Sequence, residues 1–100
     1  MINQIQLVDN QLQATLQGAI YVEEAATLRE TLLIYVDNGH NSFLIDFSAV
    51  DYIDSSGLGT LVAIQKRARQ HDGGVTITGL QGLVRDLFEL TRLTKVFDIQ

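Results

Sequence analysis

Two adjacent hydroxyls, those of Ser55 and Ser56, stand where a predicted strand hands over to a predicted helix. They belong to the run Asp54-Ser55-Ser56-Gly57-Leu58-Gly59, called here the serine motif. Such a turn is usually exposed, and the helix start adds unpaired N–H groups and a partial positive charge. A phosphate on either hydroxyl would add about −1.5 to −2 charges and change any surface that binds there. The motif therefore suits a regulated hydroxyl.

The same residues also suit plain helix capping. Asp and Ser side chains accept hydrogen bonds from first-turn N–H groups, which is worth about 0.5–2 kcal/mol relative to alanine. Gly57 and Gly59 lower helix propensity by roughly 1 kcal/mol each, so each needs a reason. Close approach to a neighbouring group is one reason, and an open surface beside the hydroxyls is another. The motif alone leaves capping and regulation both open.

Catalysis and metal binding find less support in the sequence. A serine nucleophile needs a base, and the only histidines, His40 and His71, stand in polar, loop-like stretches without a Gly-x-Ser-x-Gly elbow. The motif glycines lack the spacing of a phosphate-binding loop. Asp46, Asp51 and Asp54 do not form a cation-binding ladder of fixed spacing. We therefore expect a binding module that is not an enzyme and that uses no cofactor and no metal.

Composition limits the class of protein further. A chain of 100 residues with 46% hydrophobic content suits one globular domain. A net charge of −5 argues against a nucleic-acid partner, and the basic cluster Lys66, Arg67 and Arg69 suits a solvated helix end. The chain has no cysteine, no signal-peptide pattern and no apolar run long enough for a membrane span. We expect a cytoplasmic protein.

Hydrophobic periodicity predicts the elements that position the motif. Residues 4–7 and 11–17 alternate around a turn at Asp9-Asn10 and predict an antiparallel hairpin that Gly18 ends. Apolar spacing predicts helices over residues 23–37, 56–70 and 81–93. Strands are predicted over residues 43–47 and 75–78, with a short link over 48–53 and a last short strand within 95–99.

This order of elements predicts an α/β fold. Strands separated by helices favour parallel neighbours joined by right-handed crossovers. The hairpin adds an antiparallel edge. We therefore expect a mixed β-sheet with an N-terminal antiparallel hairpin and helices packed against it.

Residues 43–59, which read Phe-Leu-Ile-Asp-Phe-Ser-Ala-Val-Asp-Tyr-Ile-Asp-Ser-Ser-Gly-Leu-Gly, resemble the signature of the STAS domain. Within that family they are most similar to bacterial anti-sigma factor antagonists. The resemblance extends to Gly18, to Gly73-Gly74 before Val75, to the predicted helix around residues 83–88 and to the ending at 93–97. Because it covers nearly the whole chain, residues 1–100 are expected to form one STAS domain.

The resemblance implies partner switching in transcription control. The unphosphorylated antagonist binds an anti-sigma factor that is also an ATP-dependent serine kinase, and the sigma factor is released. Phosphorylation of the serine directly after the motif aspartate separates the complex, and a PP2C-type phosphatase resets it. Carried onto this chain, the phosphoacceptor is Ser55, Ser56 shapes the site and caps the helix, and Asp54 contacts the kinase or orients the hydroxyl. The implied partner surface comprises Asp54, Ser55, Ser56, Gly57, Leu58 and Tyr21.

One position departs from the family pattern. Where a Gly-x-Leu-Asp run is common before the first helix, this chain has Gly18-Ala19-Ile20-Tyr21. Tyr21 would lie near the serine motif, either packing its ring on the rim or giving a different partner specificity. An alternative function also stays open, that of a constitutive STAS adaptor in a larger complex such as a lipid-transport system. In such an adaptor Ser55 would only cap the helix.

Overall fold

Five strands and three helices make up the computed structural model, which describes residues 1–100. Along the chain these are β1 (Ile2–Val8), β2 (Gln11–Ile20), α1 (Val22–Asp37), β3 (Ser42–Ile53), α2 (Ser55–Arg69), β4 (Gly74–Thr78), α3 (Gly82–Leu90), a 3-10 turn (Leu93–Lys95) and β5 (Asp98–Ile99).

The strands form one mixed sheet in the order β1-β2-β3-β4-β5. β1 and β2 are antiparallel, and every later pair is parallel. The hairpin turn is tight because Asp9 and Asn10 both adopt positive φ, 51° and 67°. Because the parallel strands follow chain order, right-handed crossovers place all three helices on the same face. The predicted mixed sheet with an antiparallel edge is confirmed.

The core lies between that face and the helices, as one cluster of 21 buried residues. On β3, Phe43, Ile45 and Phe47 are buried, whereas the intervening Leu44 and Asp46 are partly exposed on the other face. The ring of Phe88 on α3 meets Phe47 edge-on, with centroids 5.6 Å apart. Period-two alternation thus fixes which face of the sheet the helices cover.

Two predictions about the central strands are wrong. Gly18 does not end β2, which continues to Ile20, and residues 48–53 are the second half of β3 rather than a link. Both segments carry irregular pairing, with register shifts between Thr15 and Gln17 and between Gly18 and Ala19. Such bulges break the alternation of buried and exposed residues on which strand prediction depends. The outcome is that β2 and β3 run on together to the serine motif.

The helices differ from prediction mainly at the C-terminal end of the chain. α3 ends at Leu90, not at residue 93, and Arg92 adopts a left-handed φ of 61° before the short 3-10 turn. That single conformation turns the chain back toward β5, which is limited to two residues. None of the three helices combines the length and the apolar character that crossing a bilayer requires.

Candidate functional site

β2 and β3 end together at one edge of the sheet, the edge formed by the carboxyl ends of the parallel strands and not by an outer strand. Their last residues, Ile20 and Ile53, are partners in the parallel ladder. The backbone N–H of Asp54 donates to the carbonyl oxygen of Ile20 over 3.1 Å, which extends the pairing by one residue. The chain leaves the sheet after each strand and enters a helix, α1 after Tyr21 and α2 after Asp54. Two helix N-termini therefore lie side by side at this edge.

Asp54 caps α2. Its backbone is extended, at φ −95° and ψ −177°, and its carboxylate Oδ1 accepts a hydrogen bond from the Gly57 N–H over 3.1 Å. The capping interpretation is confirmed for this residue, and the expectation that Ser56 caps the helix is wrong. A carboxylate at the cap also counters the partial positive charge of the helix start.

The two serine hydroxyls differ in access. Ser55, the first residue of the helix, is exposed, whereas Ser56 is only partly exposed. The N–H groups of both residues precede the first intrahelical hydrogen bonds, and the cap interaction with Asp54 goes to Gly57 instead. An exposed hydroxyl beside free N–H groups can receive a transferred group that carries negative charge.

The two motif glycines have different structural reasons. A Cβ on Gly57 would lie 2.5 Å from Cγ1 of Ile53 and 3.0 Å from Cγ2 of Ile20, so α2 can approach the strand ends only without a side chain there. A Cβ on Gly59 would meet nothing within 4 Å. The sequence offered close approach and open surface as alternative reasons, and each applies to one glycine.

Tyr21 lies at the same edge as the serine motif, as expected from the resemblance. It is the residue before α1, and its backbone N–H donates to the Glu24 carboxylate over 3.0 Å. Its ring packs against that of Tyr52 with centroids 5.8 Å apart, yet 51% of the residue stays exposed. The ring both packs on the rim and presents a surface to solvent.

Sequence reasoning missed two residues of this edge, Tyr52 and Glu24. The Tyr21–Tyr52 contact joins residues far apart in the chain, and it depends on the β2–β3 register that pairs Ala19 with Tyr52. Glu24 has a local signal, because glutamate three residues after a cap position is the second half of a capping box.

Carboxylates supply the charge around the two helix starts. Glu23 and Glu24 stand in the first turn of α1, Asp54 caps α2, and Asp51 is exposed near the end of β3. The basic cluster lies at the opposite end of α2, in its last turn, where it complements the helix dipole. A partner surface that fits the serine motif is therefore expected to tolerate or complement negative charge.

The histidines and the other aspartates do not join the serines. His40 and His71 follow the C-terminal ends of α1 and α2, and so they lie at the opposite edge of the sheet. The Asp46 carboxylate accepts a hydrogen bond from the Ser48 N–H over 2.8 Å within its own strand. No group of three or more His, Asp or Glu side chains is arranged to hold a metal ion.

Comparisons with known proteins agree on one family. The STAS domain profile matches residues 3–100. BtrV of Bordetella bronchiseptica, provisionally named an anti-sigma factor antagonist, is 32% identical over 92 residues, which cover 92% of this chain and 79% of BtrV. The anti-sigma-B factor antagonist of Bacillus subtilis is 32% identical over 91 residues, which cover 91% of this chain and 83% of that protein.

Solved structures share the architecture as well. The crystal structure of tm1081 from Thermotoga maritima, again provisionally named an anti-sigma factor antagonist, superposes with a TM-score of 0.90 at 23% sequence identity. The match covers 96% of this chain and 83% of that one. At this level of identity the likeness supports the fold of the domain.

Proposed function

The chain belongs to the STAS domain family, and from that premise we propose that it acts as an anti-sigma factor antagonist controlled by phosphorylation of Ser55. In its unphosphorylated form it binds an anti-sigma factor, and phosphorylation ends that binding. The observation that carries the proposal is the exposed Ser55 hydroxyl at the N-terminus of α2, beside a helix cap that another residue already provides.

The proposed partner is an anti-sigma factor that is also a serine kinase. The relatives described above are named as anti-sigma factor antagonists, BtrV provisionally, and a kinase partner would find its acceptor at the centre of the surface it binds. A PP2C-type phosphatase would remove the phosphate and return the domain to its binding form. This chain contributes a surface and a hydroxyl to the cycle, and the partner supplies the chemistry.

Ser55 is favoured over Ser56 as the acceptor by exposure. A kinase must bring the γ-phosphate of ATP in line with the attacking hydroxyl, which requires open space around that oxygen. Ser55 is exposed and Ser56 is partly buried. Neither serine is required as the cap, because the Asp54 carboxylate already accepts from Gly57. Modification of Ser55 can therefore leave the capping interaction intact.

The proposed contact surface surrounds this acceptor. It combines the polar serine motif with the partly exposed side chain of Leu58. Because Gly59 has no side chain, the helix surface beside the motif is open to a partner. Tyr21, 51% exposed, extends this surface onto the start of α1. The residues we assign to partner binding are Asp54, Ser55, Ser56, Leu58 and Tyr21, together with Gly57, which is buried and contributes by letting α2 approach the strand ends.

A phosphate on Ser55 opposes rebinding for electrostatic reasons. It adds about −1.5 to −2 charges next to Asp54 and near Asp51. Docking would then require desolvation of a dianion among carboxylates that have no neighbouring Lys or Arg in either helix's first turn. A penalty of about 3–4 kcal/mol would lower affinity several hundredfold, which is enough for a switch.

The free domain can tolerate the same phosphate. The N–H groups of the first turn of α2 face an anion favourably, and this first turn contains no acidic side chain. Ser55 is exposed, so its modification displaces no packed group. The proposed switch thus acts on the interface and spares the fold.

The test is transfer of phosphate from ATP by an anti-sigma factor kinase from the same organism. The unaltered protein, Ser55→Ala and Ser56→Ala are incubated with the kinase, and the modified peptide is identified by mass spectrometry. Phosphate is expected on the unaltered protein and on Ser56→Ala, and none on Ser55→Ala. Phosphate retained by Ser55→Ala would contradict the assignment, and none on any of the three proteins would favour the constitutive adaptor.

A further inference from the structure

β1 is an outer strand of the sheet that, from Gln4 to Val8, lacks the usual protection against pairing. It bonds only to β2, so the N–H and C=O groups on its other side have no strand partner. Its sequence, Ile-Asn-Gln-Ile-Gln-Leu-Val, contains no charged residue and no proline. Natural sheets usually guard such an edge with lysine, proline, bulges or a short strand. The one register irregularity of β1 lies between Ile2 and Gln4, which leaves Gln4–Val8 regularly paired.

The other outer strand of the sheet, β5, is protected against pairing with a further strand. β5 is only two residues long and begins with the exposed Asp98. The exposed Lys95 precedes it in the 3-10 turn. Shortness and charge are the devices that discourage strand addition at this edge. The contrast identifies β1 as the edge at which the sheet can be extended.

We propose that β1 pairs in antiparallel orientation with β1 of a second copy of this chain, so that the two sheets become continuous. An antiparallel pair of identical strands is self-complementary about a two-fold axis. Centred on Ile5, the pairing places Ile5 against its own counterpart and Gln4 of one copy opposite Gln6 of the other. Glutamine amides both donate and accept hydrogen bonds, so identical strands satisfy each other.

Both faces of the extended sheet agree with this pairing. Gln4 and Gln6 lie on the open polar face, where they share a shallow concavity with Gln13 and Thr15. Ile5 lies on the helix-covered face and packs against the core from its margin. Leu7 pairs with the buried Leu12, yet 48% of it is exposed. A two-fold axis perpendicular to the sheet keeps each face with its like, so a second copy would cover this apolar margin.

The distribution of charge favours a second copy as the occupant. The chain carries a net charge of −5, so most of its surfaces repel a copy of themselves. Asp9 is the one charged side chain among residues 1–22, a range that includes the whole hairpin, Ile2–Ile20. Within β1 itself, Ile2–Val8 carries no charge, so the paired strands place no carboxylate of one copy opposite a carboxylate of the other. A highly charged partner strand would find no opposite charge on β1 with which to pair.

The proposed dimer leaves the serine motif accessible. The motif lies at the carboxyl ends of β2 and β3, and the two-fold axis directs these ends of the two copies in opposite directions. Each copy therefore presents its own Ser55 away from the other. Because the two surfaces are separate, evidence against the dimer would not count against the Ser55 switch, and the reverse also holds.

The experiment is sedimentation equilibrium of the full chain over a wide concentration range. We expect a monomer–dimer equilibrium for the unaltered protein. The double variant Gln4→Lys/Gln6→Lys places like charges opposite each other across the two-fold axis, and it should raise the dimer dissociation constant by about tenfold or more. The matched control Gln70→Lys/Gln100→Lys makes the same charge change at exposed positions outside β1 and should dimerise like the unaltered protein.

Two results would overturn this proposal. One is a monomer at every concentration, and the other is a dimer that Gln4→Lys/Gln6→Lys leaves unchanged. Amide exchange provides a second measurement that does not depend on the variants. Outward-facing amides of β1 in the unaltered protein should become more protected as concentration rises, and equal exchange at all concentrations would also contradict the pairing. Phosphorylation at Ser55 should proceed in the double variant, which separates the two proposals.

Discussion

α1 and α2 begin side by side at the carboxyl ends of β2 and β3, but their first turns carry different side chains. The first turn of α1 contains Glu23 and Glu24, and the Glu24 carboxylate accepts from the Tyr21 N–H over 3.0 Å. The first turn of α2 contains two serines and a glycine and no acidic residue. In α1 the partial positive charge of the helix start meets side-chain anions. In α2 it meets one capping aspartate and two hydroxyls.

The difference teaches where an added anion can be held. A phosphate at the start of α1 would join two first-turn carboxylates, whereas at the start of α2 it would join the one capping carboxylate of Asp54, hydroxyls and N–H groups. In the proposed switch, the uncharged hydroxyls leave α2 able to bind the partner while unmodified. The negative charge at the start of α1 is fixed by its glutamates. The negative charge at the start of α2 can rise when a hydroxyl is phosphorylated.

Among single substitutions, the largest effect is expected for an acidic residue placed at the acceptor position. Ser55→Asp adds one negative charge at the start of α2 and should lower affinity for the anti-sigma factor by about thirtyfold, or about 2 kcal/mol. Isothermal titration calorimetry measures the change. Gln70→Asp adds the same charge at the exposed C-terminal end of the same helix and should bind normally. Equal losses for both variants would mean that net charge, and not the site, controls binding.

The next effect concerns the close approach of α2 to the strands. Gly57→Ala would bring a methyl group within 2.5 Å of Ile53 and should lower the free energy of unfolding by about 1.5 kcal/mol. Gly59→Ala, where the space is open, should raise it by up to about 1 kcal/mol through helix propensity. Urea unfolding of both variants tests the pair. If Gly57→Ala proved as stable as Gly59→Ala, the packing reason for Gly57 would be wrong.

A smaller effect is expected at the α2 cap. Asp54→Ala removes the acceptor for the Gly57 N–H and should cost about 1 kcal/mol of stability. Asp54→Asn keeps a capping oxygen without the charge, so it should retain most of that stability. Comparing the two by urea unfolding separates capping from charge. A full loss in Asp54→Asn would indicate that the negative charge, rather than the hydrogen bond, stabilises the helix start.

The smallest effect is expected at the start of α1. Glu24→Ala removes the carboxylate that accepts from the Tyr21 N–H, and it should cost about 0.5 kcal/mol because the group is partly exposed. Glu23→Ala removes the same charge without that hydrogen bond and should cost less. Thermal unfolding in low salt resolves the two. A larger cost for Glu23→Ala would contradict the role given to the Glu24 hydrogen bond.

Much of the fold follows from the sequence because the local signals agree. Alternation in β1 and the first half of β2, the Asp9-Asn10 turn and the helical spacing of α1 and α2 each predict the observed element. Ser55 stands at the start of the predicted helix because Asp54 is a strong cap just before an apolar-periodic segment. The serine motif is thus placed by signals within a few residues of it.

The remaining features depend on contacts between distant residues. The second half of β3 escapes prediction because Ser48 and Ala49 are both exposed, which breaks the alternation. α3 ends early because Arg92 adopts a left-handed backbone conformation. Arginine seldom adopts this conformation, so the sequence gives no sign of it. The Tyr21–Tyr52 contact exists only because β2 and β3 run on together to the same edge. Tertiary pairing decides these features.

The most direct test of the central claim compares the same protein with and without phosphate on Ser55. Calorimetry would give its affinity for the anti-sigma factor, and the thermal unfolding midpoint would be recorded for the same two samples. We expect an affinity several hundredfold lower for the phosphorylated form, corresponding to about 3–4 kcal/mol, with midpoints within a few degrees of each other. Unchanged affinity, or a phosphorylated domain that unfolds, would contradict the central claim.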